Sequence, residues 1–229
     1  PSDRVLSGQF GVSLMAKPEL VADCVDAMRG AVAIPVTVKT RIGFDDNDDY
    51  SVLQKFVKTV ASAGCRTFAI HARKAWLQGL SPKENREVPP LCYDRVYQLK
   101  EEFENLEIVI NGGILALEEV EDHLRHVDGT MIGREAYQHP YLLADVDRRF
   151  YGEGPGPSRD EVLERFCRYV DSQIERGVRL HQMTRHIGGL FAGMPGARAW
   201  RRHLSENGVK PGADARVVRE AVRLKGAPA

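Results

Sequence analysis

The chain has 229 residues, of which 43% are hydrophobic and 28% charged, and its formal net charge is zero. That apolar content supports a core of ordinary size, in one large domain or a domain with a small appendage. No apolar run reaches about eighteen residues and the opening Pro-Ser-Asp-Arg is no leader, so membrane insertion and secretion are not expected. Cys24, Cys65, Cys92 and Cys167 are far apart and form no CxxC pair, which excludes a disulfide scaffold and fits a reducing cytoplasm.

Leu20, Val21, Cys24, Val25 and Met28 recur at helical spacing behind Pro18, and a β-branched run, PVTVKT, follows over 35–40. Val52, Leu53, Phe56, Val57 and Val60 predict a second helix before Gly64, with a strand TFAIH over 67–71. The pattern then repeats twice. A helix over 96–103 precedes the strand EIVI at 107–110, and a helix over 117–124 precedes TMI at 130–132. Short apolar strands alternating with amphipathic helices predict parallel βα units.

Beyond a helix near 142–150, YGEGPGPS reads as a Gly- and Pro-punctuated linker. Ser158 with Glu161 three residues on is a capping-box sequence opening a helix over 162–174, and further helices are expected over 181–191, 196–205 and 213–224. The expected fold class is α/β: about four βα units, the C-terminal half of a (β/α)8 TIM barrel of roughly 250 residues, followed by a small all-helical domain. A small open sheet is the alternative. Domain limits fall at 1–152 and 153–229, and the strand count together with the absent initiator Met predicts truncation at the N-terminus.

Working residues of βα barrels sit where strands end. The first strand ends at Lys39, a cation awkward to bury without an anionic partner, and Arg41 shares its face, which suggests anion handling. The second ends at His71, the third in Asn111-Gly112-Gly113, the fourth in Gly133-Arg134. Glycines after the last two strands let backbone amides approach a phosphate, and Arg134 can add a charge-assisted contact. A lysine, a histidine and such a cradle suit a reduced flavin, whose charge near N1 Lys39 would stabilise. A phosphorylated sugar or pyridoxal phosphate fits the same pattern.

From Ser158 onward there are 14 Lys and Arg against 8 Asp and Glu, so the tail is basic and the body acidic. In ARAWRRHL, Arg198, Arg201 and Arg202 fall at i, i+3 and i+4 on one helical face, with Trp200 directed elsewhere. Such a stripe suits an RNA backbone, or else pairs with Glu206 or the acidic body. The loop after His71, KAWLQGLSPKENRE, is long for a βα turn and carries Lys83 and Arg86, beside Glu84 and Glu87 that can neutralise them.

The segments PSDRV, PVTVKTRIG, IHARKAWLQGLSPKENRE, INGGI, IGREAYQ and PGARAWRR resemble the tRNA-dihydrouridine synthases, in particular their A-type bacterial subfamily. The resemblance runs from Pro1 into the helical tail. It implies an FMN-binding barrel, NADPH as reductant, a tRNA-gripping helical domain, and hydride transfer to C6 of a D-loop uracil while a cysteine protonates C5. It implies flavin contacts at Lys39 and His71, the rest of the FMN site at Asn111, Gly112, Gly113, Gly133 and Arg134, and tRNA contacts at Lys83, Arg86, Arg198 and Arg201, with Arg202 a weaker match. The family's catalytic cysteine lies in a GCPS motif whose Pro and Ser are Pro1 and Ser2, so the proton donor is expected immediately upstream and no catalytic residue within the chain. No metal, membrane or obligate protein partner is inferred. An FMN oxidoreductase of small pyrimidines and a non-catalytic RNA-binding remnant are the alternatives.

Overall fold

A computed structural model of the chain describes residue 8 and residues 10–225. The PSDRV segment therefore lies outside the described residues, apart from the sequence match itself. Two compact units are present, Pro1–Gly133 and Arg134–Ala229. The domain limit expected at 152–153 falls within the second unit.

In the first unit a 3-10 helix over Gly11–Ala16 leads into α1 (Pro18–Ala31), which begins on the expected proline. Then come β1 (Val38–Arg41), α2 (Tyr50–Ser62), β2 (Thr67–His71), α3 (Tyr93–Glu102), β3 (Glu107–Asn111), α4 (Leu117–Leu124) and β4 (Gly129–Met131). The strands form one parallel sheet in the order β1-β2-β3-β4, each new strand joining beside the last. This is the arrangement that alternating strands and helices dictate, since a parallel neighbour requires a crossover helix.

Register follows from burial. Phe68, Ile70, Ile108 and Ile110 are each 0% exposed and alternate along β2 and β3, so they share one face of the sheet, and Leu53, Val57, Val96 and Leu99 of the helices are buried as completely. Burying each contributes about 1.5–3 kcal/mol. A slip by one residue would replace them on that face with Ala69, His71, Val109 and Asn111, which makes the observed pairing the favoured one.

The second unit opens with α5 (Arg134–Gln138), a 3-10 helix over Pro140–Asp145 and α6 (Val146–Tyr151). After the linker come α7 (Arg159–Glu175), α8 (Leu180–Thr184), α9 (Ala197–Asn207) and α10 (Ala215–Lys225). The capping box forms as its sequence requires: the Ser158 hydroxyl accepts from the Glu161 N–H at 3.2 Å, and Glu161 Oε2 accepts from the Ser158 N–H at 2.8 Å. The core gathers Leu163, Cys167, Val170, Leu180, Phe191, Trp200, Leu204 and Val218, with Trp200 at 0% exposure edge-on to Phe191, 5.0 Å between ring centroids.

One helix is shorter than expected. The pattern over 181–191 predicts a continuous helix, but α8 ends at Thr184 and turns follow. Gly189 explains this, because a Cβ there would stand 2.0 Å from the Gln138 carbonyl oxygen. Two backbones meet at a distance only glycine permits, and the chain leaves helical geometry to do so.

Candidate cofactor and nucleic-acid sites

The last rung of the sheet is polar. Arg41 stands opposite His71, His71 opposite Asn111, and Asn111 opposite Met131. The two-residue repeat then places Lys39, Arg41, His71 and Asn111 on one face, opposite the helices. Lys39 Nζ donates to Asn111 Oδ1 at 3.2 Å, and Asn111 Nδ2 donates to the Met131 carbonyl at 2.7 Å. To reach β3, the lysine crosses β2, where the residue opposite it is the small Ala69. Partial loss of water first, and Arg41 second, hold the Lys39 ammonium below the usual 10.5. Its partner is an amide oxygen, and it makes no ion pair among the described residues.

His71 is 9% exposed and packs against the glycine turn after β3. Gly112 has φ 125° and Gly113 has φ 71°, both in the region L side chains avoid. A Cβ on Gly112 would lie 2.7 Å from His71 Cδ2, and one on Gly113 would lie 2.6 Å from Leu91 Cδ1. Tyr93 at the start of α3 donates its hydroxyl to the Gly112 carbonyl at 2.7 Å, fixing that peptide's orientation. Gly133 differs. A Cβ there meets nothing nearer than Asn111 Nδ2 at 4.0 Å, so its surroundings are open. The structure thus brings together Lys39, His71, Asn111, Gly112, Gly113 and Gly133, whereas Arg134 begins α5 and belongs to the second unit.

Beyond the rung lies the long loop after β2. Lys83 and Arg86 are exposed and bracket a short 3-10 turn, Glu84–Arg86. Glu84 is turned to its own loop, accepting from the Ser81 N–H at 2.8 Å, and Lys83 makes no ion pair among the described residues. The organising residue is Asn85, 2% exposed, which the sequence reading passes over. Its Oδ1 accepts from the Trp76 N–H at 2.8 Å, and its Nδ2 donates to the carbonyls of Trp76 at 2.9 Å and Leu80 at 3.2 Å. Arg41 does not stand free as an anion receptor. Its Nη1 donates to the carbonyls of Lys74 and Asn85, each at 2.9 Å. Burial, then Arg73 and Arg86, push the Arg41 guanidinium down to about 10, so it is charged at neutral pH within a cluster of like charge.

In the second unit, α9 turns Trp200 and Leu204 inward and leaves Arg198, Arg201 and Arg202 exposed. None of the three makes an ion pair among the described residues, so Glu206 does not neutralise the stripe. Arg201 lays its stem along Gly188, 3.8 Å from where a Cβ would be. A cleft of about 250 Å³ in the same unit is lined by His139, Tyr141, Leu142, Arg159, Gly189, Leu190 and Ala192. The cysteines are unpaired: Cys65 and Cys167 are buried, with thiols pushed up by desolvation, and Cys24 is exposed. No helix among the described residues is long and apolar enough to cross a membrane, and no group of three or more metal-ligating side chains occurs among them.

A parallel βα sheet with a lysine on its polar face, and an amide, an imidazole and a glycine turn at the strands' C-terminal edge, defines an enzyme of the βα class. The chain matches the dihydrouridine synthase family over residues 1–225 and belongs to it. The family's enzymes are flavin-dependent oxidoreductases that reduce uridine to dihydrouridine in tRNA. The chain is 58% identical over 224 residues to the tRNA-dihydrouridine(20/20a) synthase of Vibrio cholerae serotype O1, covering 97% of this chain and 68% of that protein. It is 60% identical over 222 residues to the enzyme of the same name from Shewanella oneidensis, covering 96% and 66%. With the Yersinia pestis enzyme of that name it shares 58% over 226 residues, covering 98% and 66%. The chain therefore spans about two thirds of the length of these relatives.

Proposed function

We propose that this chain forms part of a tRNA-dihydrouridine synthase that reduces uridine in the D loop, with FMN as bound cofactor and NADPH as reductant. Residues 1–152 supply the downstream half of the FMN-binding barrel, and 153–229 the helical tRNA-binding part. The observation that carries this reading is the Lys39–Asn111 pair, a lysine held by an amide on the polar face of the sheet and without an acidic partner among the described residues. Such a cation suits a ring that gains negative charge on reduction, and His71 beside it offers a further polar edge. Gly112 and Gly113 bring backbone close and Gly133 leaves room, which suits a phosphate; Arg134 is assigned to that group by the resemblance alone. When bound, FMN supplies the hydride. The chain's own residues bind and orient: Lys39 and His71 the ring, Asn111 through Gly113 with Gly133 and Arg134 the phosphate.

Lys83 and Arg86 on the loop, and Arg198 and Arg201 on α9, are assigned to tRNA phosphates or bases; their exposure, and the absence of ion pairs at Lys83, Arg198 and Arg201 among the described residues, support it. The working compartment is the cytoplasm. The test is single-turnover reduction of unmodified tRNA by the intact protein. Arg198→Glu with Arg201→Glu is expected to weaken tRNA binding and to lower the salt slope by about one per lost contact. Unchanged binding and slope would refute the helical assignment, and turnover of free pyrimidine in place of tRNA would refute the substrate.

A further inference from the structure

The loop carrying Lys83 and Arg86 is fastened in two places of different kinds. Its near end is tied to the segment after β1. Lys74 Nζ pairs with Asp48 Oδ2 at 2.9 Å, donates to the Asp45 carbonyl at 3.1 Å and lies 4.3 Å from the Trp76 ring centroid. The Leu77 N–H donates to Asp45 Oδ1 at 2.7 Å, and Phe44 bridges Ala75. Its far end closes on itself around the buried Asn85 side chain, through Trp76 and Leu80. Arg41 joins that closed turn to the sheet, since the two N–H groups of its Nη1 reach the Lys74 carbonyl and the Asn85 carbonyl together. The Asn85 carbonyl belongs to the peptide that begins Arg86. Arg41 in turn sits two residues from Lys39 on the same strand face.

We propose that Arg41 is a positioning residue for the nucleic-acid substrate: through the Lys74 and Asn85 carbonyls it fixes the turn carrying Lys83 and Arg86 at a set distance from Lys39. The inference rests on the reading that Lys83 and Arg86 meet tRNA. The uracil reaches a ring beside Lys39 only when tRNA is held in register with that ring, and a turn that has to be ordered at the moment of binding weakens the complex about tenfold or more. A loop anchored only at its near end would leave Arg86 to be ordered in that way. Because the bonds of Lys74 Nζ, Ala75 and Leu77 to the segment after β1 use neither the Arg41 nor the Asn85 side chain, loosening the far end leaves the loop attached and the sheet intact.

The test uses the intact, flavin-loaded protein with unmodified tRNA as substrate and with NADPH-driven flavin reduction followed separately. Arg41→Lys keeps the charge on a single shorter ammonium, and Asn85→Ser opens the turn without touching β1. Each is expected to raise KM for tRNA about tenfold or more, while Asn85→Ser keeps the flavin-reduction rate within about twofold of wild type. In a Lys83→Ala, Arg86→Ala background, Arg41→Lys is expected to add less than about twofold. A full further tenfold loss there would mean that Arg41 contacts the substrate itself, and would overturn the proposal. So would an unchanged KM in both single variants when the double alanine variant binds tRNA poorly. If the double alanine variant itself binds tRNA normally, the loop assignment fails first and the positioning role with it. Should Arg41→Lys lose flavin, Asn85→Ser decides alone: a raised KM with intact flavin reduction supports the role, and an unchanged KM overturns it.

Discussion

Gly112 and Gly133 both follow strands at the polar edge, yet the structure gives them different duties, and alanine at each should separate fold from cofactor. At Gly112 the backbone has φ 125°, and a Cβ would stand 2.7 Å from His71 Cδ2 and 3.0 Å from Leu91 Cδ2. The backbone conformation costs an L residue about 1–3 kcal/mol. Overpacking against a buried ring costs a further 1–3 kcal/mol or so, about 2–6 kcal/mol together. At Gly133 the nearest atom is Asn111 Nδ2 at 4.0 Å and no positive φ is present, so Gly133→Ala should change stability by no more than about 0.5 kcal/mol. That methyl would instead enter the space assigned to the phosphate. Urea unfolding followed by circular dichroism, on flavin-free protein so that ligand linkage does not mask the difference, measures the first quantity. Flavin content after gel filtration measures the second. Equal midpoints for Gly112→Ala and wild type would refute the steric argument, and full flavin content in Gly133→Ala would refute the cradle.

The Lys39 ammonium, held below 10.5, should lose its proton on raising pH earlier than an ordinary lysine, so flavin-dependent turnover should fall with rising alkaline pH. Lys39→Arg should move that fall to higher pH, and an unmoved profile would exclude Lys39 as its source. His123 is 5% exposed, and burial holds it below 6.5 although Glu119 and Asp122 pull the other way and His126 adds to the lowering. The unfolded chain therefore takes up the proton first as pH falls, and stability present above pH 6.5 is lost as pH drops toward the folded value. Protonation also ends the acceptor role of Nδ1 if it takes the Tyr97 hydroxyl proton at 2.7 Å. Urea midpoints between about pH 8 and about pH 5 should show this slope in wild type and less of it in His123→Gln. Trp200→Ala should destabilise the helical unit by about 3–5 kcal/mol, readable as a lowered thermal midpoint, while a loss below about 1 kcal/mol would contradict its central place in that core.

The strands were legible because apolar runs such as TFAIH and EIVI have few other uses, and the capping box at Ser158 because its two bonds are local. Trp200 could be assigned inward because Arg198, Arg201 and Arg202 claim the opposite face of the same helix. What sequence did not disclose lies in long-range bonds. Asn85 reads as one more turn former, and only its bonds to residues 5 and 9 positions upstream make it a buried keystone. A guanidinium on a strand face advertises charge, which suggests anion handling at Arg41. Its partners are backbone carbonyls 33 and 44 residues downstream, which carry no side-chain signature. The break in the helix expected over 181–191 likewise depends on the Gln138 carbonyl, far away in sequence.

Stability and site are set by the same periodicity. The two-residue repeat that hides Phe68, Ile70, Ile108 and Ile110 is the one that carries Lys39, His71 and Asn111 to the other face. Four such side chains contribute of order 6–12 kcal/mol, whereas the partly solvated Lys39–Asn111 bond contributes at most about 1.5–3 kcal/mol. The polar groups therefore do not hold themselves in place; the apolar face holds them, through register. This leaves the polar face free to carry residues chosen for chemistry, including a lysine that makes no ion pair among the described residues, which a face that had to secure its own pairing could not keep.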